Sequence, residues 1–234
     1  MIEDGLGFMG FWSDIESDYL LSYQEWHNCE HMPERVSIPG FIEGRRYRGT
    51  DTPTGASFFM CYVTHTPDAL GSAAYLAALN SPTPWTKEAL TRFRNPVRTL
   101  YRRVASAGSA PAHRPYLALL RFDIDREACA LAPVLDSALA GAAGVARSLF
   151  EVNAAASSIM TAERKIYSGG PTSQQFLAAF ESHDKAAAAD ALAAFEAAME
   201  APVRNAVQNT YWQEARIRAV DVCKSASKDE EKAA

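Results

Sequence analysis

A chain of 234 residues with 48% hydrophobic and 22% charged side chains can bury a real core and form one large domain or two small ones. Its formal net charge of -5 argues against nucleic acid, and no apolar run reaches the roughly 18 residues needed to span a bilayer. The acidic start Met1-Ile2-Glu3-Asp4 and four scattered cysteines (Cys29, Cys61, Cys129, Cys223) without a C-x-x-C pair predict a cytoplasmic protein with no signal peptide, disulfide framework or zinc ribbon.

The apolar stretch Leu6–Ser13 predicts a first strand. From Ser17 to about Arg35 apolar residues recur at helical spacing, with Ser17 or Asp18 placed to cap the start and Pro39-Gly40 to stop the run. Phe41–Arg48 and Ala56–His65 read as strands around the turn Asp51–Gly55. Asp68–Leu79 reads as a helix, Ser81–Trp85 as a proline-rich interruption, and Val97–Ala105 as a last strand. The order is βαββαβ, the plan of a ferredoxin-like unit.

After the linker, centred on residues 108–115, the plan starts again at Tyr116–Asp123, followed by a helix over Arg126–Leu139. An offset of 110 residues superposes Arg94-Asn95-x-Val97-x-x-x-Tyr101 on Arg204-Asn205-x-Val207-x-x-x-Tyr211. An offset of 118 pairs Phe58 with Phe176, Tyr62 with Phe180 and His65 with His183, and 104 pairs Gly40 with Gly144. These shifts predict a longer β-hairpin over Glu151–Thr172 in the second half and make the Pro82–Trp85 stretch private to the first. The expectation is an α+β protein of two tandem ferredoxin-like repeats, 1–107 and 116–222, with a flexible tail at 223–234. Because each such unit leaves one sheet face open, the two antiparallel sheets are expected to face each other as an α/β barrel.

Chemistry concentrates in Trp26-His27-Asn28-Cys29-Glu30-His31. His27 and His31 stand four residues apart on one helix face, with Tyr23 one turn before them. Imidazoles titrate near neutrality, so His31 is the expected general base or acid at a barrel mouth, His27 its partner, and Glu30 or Glu34 the group that fixes a tautomer. The bland alternative is that one imidazole packs on the sheet and the other is solvated near the helix end. A metal reading of H-x-x-x-H is disfavoured, since Glu30 stands in the wrong place for a zinc-protease helix and no third ligand is evident.

Arg94 and Asn95 are expected to bind an anionic substrate group, against the alternative of a turn at the start of a strand. Trp26, Tyr62, Tyr23 and above all Trp85 are expected to wall the pocket, although aromatics in strands are more often plain core. Arg45 or Arg46 can also turn toward a ligand, and the duplicated His65 and His183 suit a turn. The second-half helix carries Leu131, Pro133, Val134 and Leu135 in the corresponding region, so that half reads as scaffold.

The run Glu25–Arg35 (EWHNCEHMPER), with Ile38-Pro39-Gly40-Phe41 and Arg45-Arg46-Tyr47, resembles the signature helix and second strand of the dimeric α/β-barrel superfamily, nearest its EthD-like members. The resemblance covers the first half well and the second only through strand order. It implies a barrel shared by cofactor-independent oxygenases, muconolactone-type isomerases, polyketide cyclases, lyases and the haem-binding chlorite dismutase and dye-decolorising peroxidase groups; fold does not choose among them. In cofactor-free members a helix histidine handles a substrate proton, and His31 and His27 match it. Haem would need a proximal histidine in the second half, for which His183 is poorly placed.

The leading expectation is therefore a lyase or isomerase without cofactor, acting on a small aromatic or polyketide-like metabolite, with a homodimer left open. The rivals are a non-catalytic binding or carrier protein, and a cofactor-free oxygenase or metal-dependent enzyme.

Overall fold

The computed structural model describes residues 5–50, 56–137 and 144–222. The expected turn at 51–55, the last two residues of the helix expected over Arg126–Leu139 and the tail at 223–234 lie outside them. The first half contains β1 (Gly7–Ile15), α1 (Leu20–Trp26), a π-helical segment (His27–His31), α2 (Met32–Val36), β2 (Phe41–Gly49), β3 (Phe58–Thr64), α3 (Ala73–Asn80), α4 (Pro84–Leu90) and β4 (Phe93–Ala107). The second contains β5 (Tyr116–Asp123), α5 (Ala128–Ser137), β6 (Val145–Val152), α6 (Ala154–Ser158), α7 (Ala162–Tyr167), β7 (Phe176–Ser182), α8 (Lys185–Ala197) and β8 (Arg204–Arg218).

The eight strands close into a barrel in the order β1-β3-β2-β8-β5-β7-β6-β4, every neighbouring pair antiparallel. Each half contributes the same order, 4-1-3-2 and 8-5-7-6, and the halves join at β2–β8 and β4–β6. Strand alternation divides the apolar residues into three cores. Phe8, Trp12, Phe59, Tyr101, Leu117 and Tyr211 belong to the set that fills the barrel. Met9, Phe11, Met60, Tyr62 and Leu100 face outward from the first sheet, under residues of α1 to α4 and Tyr167 of α7. The outer face of the second sheet packs on α5 and α8 through Leu131, Leu135, Leu192 and Phe195.

Several local expectations change. The first helix opens with a 3-10 turn, Ser17–Tyr19, that neither Ser17 nor Asp18 caps. The proline-rich stretch is no plain interruption: the Thr83 side chain accepts from the Thr86 amide at 2.9 Å, Pro84 takes a first-turn position whose N–H would go unused, and α4 forms. No long hairpin spans Glu151–Thr172. β6 ends at Val152, and the Asn153 and Thr161 side chains cap α6 and α7 instead. β4 begins at Phe93, four residues before its expected start.

The repeated Arg-Asn pair proves to be a strand bulge. Asn95 and Asn205 both take left-handed backbone, φ 52 and 51, each beside a register shift. Each donates its side-chain amide to an aspartate in the last two residues of the first strand of its half, Asn95 to Asp14 at 3.2 Å and Asn205 to Asp123 at 2.7 Å. Asparagine suits both demands, a positive φ and a short donor arm.

Candidate active site

The histidine cluster lies outside the barrel wall, between the outer face of the first sheet and the helices over it, and not in the barrel mouth. Trp26, His27, His31 and Met32 are all buried there. The π segment has a physical role: one turn bonded to the fifth residue shifts the helix phase, and such turns gather at functional sites. It stacks the two imidazoles 5.8 Å apart, with Trp26 at 4.4 Å from His31 and Tyr23 at 5.7 Å from His27.

The two histidines differ in surroundings. His27 Nδ1 lies 3.3 Å from Nη1 of Arg46, which also donates to Asn28 at 2.8 Å, while Arg46 Nε reaches Glu214 of β8 at 3.0 Å. His27 Nε2 is buried without a partner. His31 instead borders a cavity of about 30 Å³, room for about one or two waters. Its Nδ1 is also buried and unpartnered. Burial, and then Arg46, holds the His27 pKa well below the usual imidazole value; burial, then Arg35 and His27, does the same for His31. Both rings are neutral at physiological pH, so either can accept a proton.

Facing His31 across the cavity are Arg35, Tyr62, Arg98 and, from α7, Glu163 and Tyr167. Arg35 and Glu163 form a buried ion pair joining the two halves. Arg98 donates to the Tyr75 hydroxyl at 3.0 Å. Burial pushes the Glu163 carboxyl up to about 7, against the opposing pull of Arg35 and Arg98. The Tyr62 hydroxyl is buried without a hydrogen-bond partner, whereas Arg35 Nη1 lies 3.1 Å from Glu34 Oε1, so Glu34 pairs with Arg35 and not with an imidazole. Tyr62 can lie across β2 because residue 44 is glycine, where a Cβ would stand 2.6 Å from its ring. Met9, Met60, Leu79 and Leu90 supply the apolar wall, and the methionines are its adaptable part.

The structure brings together His31, His27, Trp26, Tyr62 and Tyr23, of which His31, Trp26 and Tyr62 border the cavity. Other expected roles change. Glu30 does not touch an imidazole: it accepts from Thr83 and Thr86 at 2.6 and 3.0 Å, and Thr86 in turn accepts from the Trp26 indole at 3.1 Å. It therefore pins α4 to the π segment and fixes the indole that packs, tilted, against His31. Arg94 is largely exposed and pairs with Glu16, and Asn95 is held by Asp14, so neither lines the cavity. Trp85 packs partly buried against the surrounding core rather than on the cavity. Among the residues that sequence reasoning missed, Arg35 stands four after His31 and was legible as its neighbour on a helix face, whereas Glu163, 128 residues from Arg35, carried no signal.

Cys29 is exposed, and among the described residues no three His, Cys, Asp or Glu side chains gather as metal ligands. Haem does not fit this chain: the space between the second sheet and its helices is filled by Phe122, Phe176, Phe180 and Phe195, and His183 is exposed at the turn into α8. No protein-family model and no curated protein matches the sequence. Solved structures do match the fold. An anthrone oxidase-like protein aligns with a TM-score of 0.59 at 9% identity, covering 93% of this chain and 94% of its own. A putative monooxygenase from Lactobacillus acidophilus NCFM gives 0.57 at 9%, covering 92% and 97%. A point mutant of chlorite dismutase from Candidatus Nitrospira defluvii gives 0.56 at 10%, covering 95% of each. These establish the α/β-barrel architecture and, at such identities, nothing finer.

Proposed function

We propose that the chain is a cytoplasmic enzyme that needs no cofactor and uses His31 to move a proton on a small aromatic or polyketide-like metabolite, as a lyase or isomerase. One observation carries this reading: a neutral imidazole with a buried, unpartnered nitrogen borders a small cavity together with Tyr62, whose hydroxyl is also buried without a partner, and the Arg35 guanidinium. Such atoms are rare in folded proteins and mark places where a ligand or water completes the bonding. The EthD-like resemblance of residues 25–35 supports the same reading, and the free thiols of Cys29, Cys61 and Cys129 suit a reducing compartment.

His31 takes a proton from an acidic C–H or phenolic O–H, and the electron pair stays on the substrate as an enolate or phenolate. The Arg35 guanidinium and Tyr62 hydroxyl donate to that oxygen. The imidazolium, disfavoured by burial, then returns its proton to another atom of the substrate or to a leaving group. Because the cavity holds only a water or two, entry of substrate displaces the side chains of Met9 and Met60. In this reading residues 1–107 hold the chemistry, and residues 116–222 supply a scaffold together with Glu163 and Tyr167.

Purified protein incubated with a panel of aromatic metabolites tests it: wild type turns over at least one, and His31→Gln loses about two to four orders of magnitude in rate. Saturable binding without turnover makes the protein a carrier. A second reading, cofactor-free oxygenation, is favoured by the apolar lining, since the same carbanion can react with dioxygen. Substrate-dependent oxygen consumption separates it from the lyase or isomerase.

A further inference from the structure

A larger cavity, about 430 Å³, opens inside one end of the barrel, on the opposite side of the first sheet from His31. Its floor is apolar, with Phe8, Val63, Leu117, Leu119 and Phe150. Five arginines border it, Arg45, Arg103, Arg114, Arg147 and Arg216, against two carboxylates, Glu43 and Glu181. Arg45 bridges both carboxylates, Arg216 also binds Glu43, and Arg114 reaches Glu181 at 3.3 Å. Each carboxylate is therefore shared by two guanidinium groups, and the positive charge is in excess.

The excess is not solvated away. Arg147 is only 7% exposed, and its Nε and Nη1 are buried with no hydrogen-bond partner, as is Nε of Arg45. The Arg147 guanidinium lies against Gly108 at the cavity wall, where a Cβ would come within 2.8 Å of Nη2 and 3.1 Å of Nε. Glycine leaves room there for the charged group. A buried guanidinium with unused donors beside a chamber with an apolar floor is complemented by a planar anion attached to a hydrocarbon body.

We propose that this barrel end is a binding site, separate from the His31 cavity, for an apolar monocarboxylate whose carboxylate meets the arginines and whose hydrocarbon part enters the barrel. The volume falls within the range of small-molecule pockets.

Titration calorimetry of the full chain with octanoate, octanol and inorganic phosphate tests it. Saturable binding of octanoate, about tenfold or more tighter than octanol or phosphate, is expected. Arg147→Met, which orphans no carboxylate, weakens octanoate about tenfold or more, while His31→Gln leaves it unchanged. Ala179→Phe, which fills the chamber without altering charge, abolishes binding and serves if Arg147→Met does not fold. Equal affinity for octanol, tighter binding of phosphate, no saturable binding, or indifference to both barrel variants overturns the proposal.

Discussion

The two halves of this barrel share a strand order and a bulge yet place opposite chemistry under their helices. At the offset of 104 residues that pairs Gly40 with Gly144, both of positive φ, His27 and His31 correspond to Leu131 and Leu135. The leucines are fully buried in an apolar core, whereas the histidines carry buried nitrogens without partners. Burying an unpaired polar group costs stability, and a leucine at the same kind of site does not. A fold that builds the same contact surface from leucine has no packing reason to use histidine, so the contrast supports the role proposed for the imidazoles.

The sharpest way to break the comparison is to make the first half like the second. His31→Leu should remove about two to four orders of magnitude of activity while leaving stability unchanged or about 1 kcal/mol higher, read by turnover and by denaturant unfolding. A large fall in stability would return the histidine to a packing role. Next in size is the ion pair between the halves. Arg35→Met leaves Glu163 buried and uncompensated, and should cost about 3–5 kcal/mol in unfolding free energy; Glu163→Gln should cost less. Equal losses would mean that the pair acts by charge alone.

Smaller effects test what the halves have in common. Asn95→Ala and Asn205→Ala should each lose about 1–2 kcal/mol, from a positive φ that alanine tolerates poorly and from one hydrogen bond. The loss should be greater at Asn205, where the bond to Asp123 is shorter and less exposed. Turnover should be intact in Asn95→Ala, because Asn95 does not reach the cavity. The weakest effect is on pH. The depressed pKa values of His27 and His31 mean that the unfolded chain binds more protons below pH 6.5, so stability falls as pH drops through that value. The raised Glu163 acts oppositely: stability falls as pH rises from 4.5 to about 7. Glu163→Gln should therefore steepen the loss through pH 6.5, and the double His→Leu variant should remove that loss, leaving the decline toward neutral pH and the acid loss from Asp14 and Glu43, both measured as unfolding free energy against pH.

Strand alternation and the recurrence of Arg-Asn-x-Val made the barrel legible, because period-two patterns and bulges are written in short stretches of chain. The histidine face was legible for the same reason. What escaped depended on distant contacts. Nothing local marks the turn of His27–His31 as π rather than α, and the sheet side on which the histidines stand follows from barrel closure. The hairpin expected over Glu151–Thr172 gives way to α6 and α7 because Asn153 and Thr161 cap helices there, a local signal that a repeat alignment does not register. With it went Glu163, which reaches the site only through α7.

Closure of the barrel within one chain has a consequence for association. Every described strand has a hydrogen-bonded strand on each side, so closure leaves only the ends of β4 and β8, which outrun their partners, for another chain to extend. Two copies that pair therefore have helix surfaces, loops and the outer side chains of β8 to use rather than a whole free edge strand. The exposed Leu21 on α1 and Trp212 on β8 are apolar side chains available for such contact, and neither requires the sheet to open.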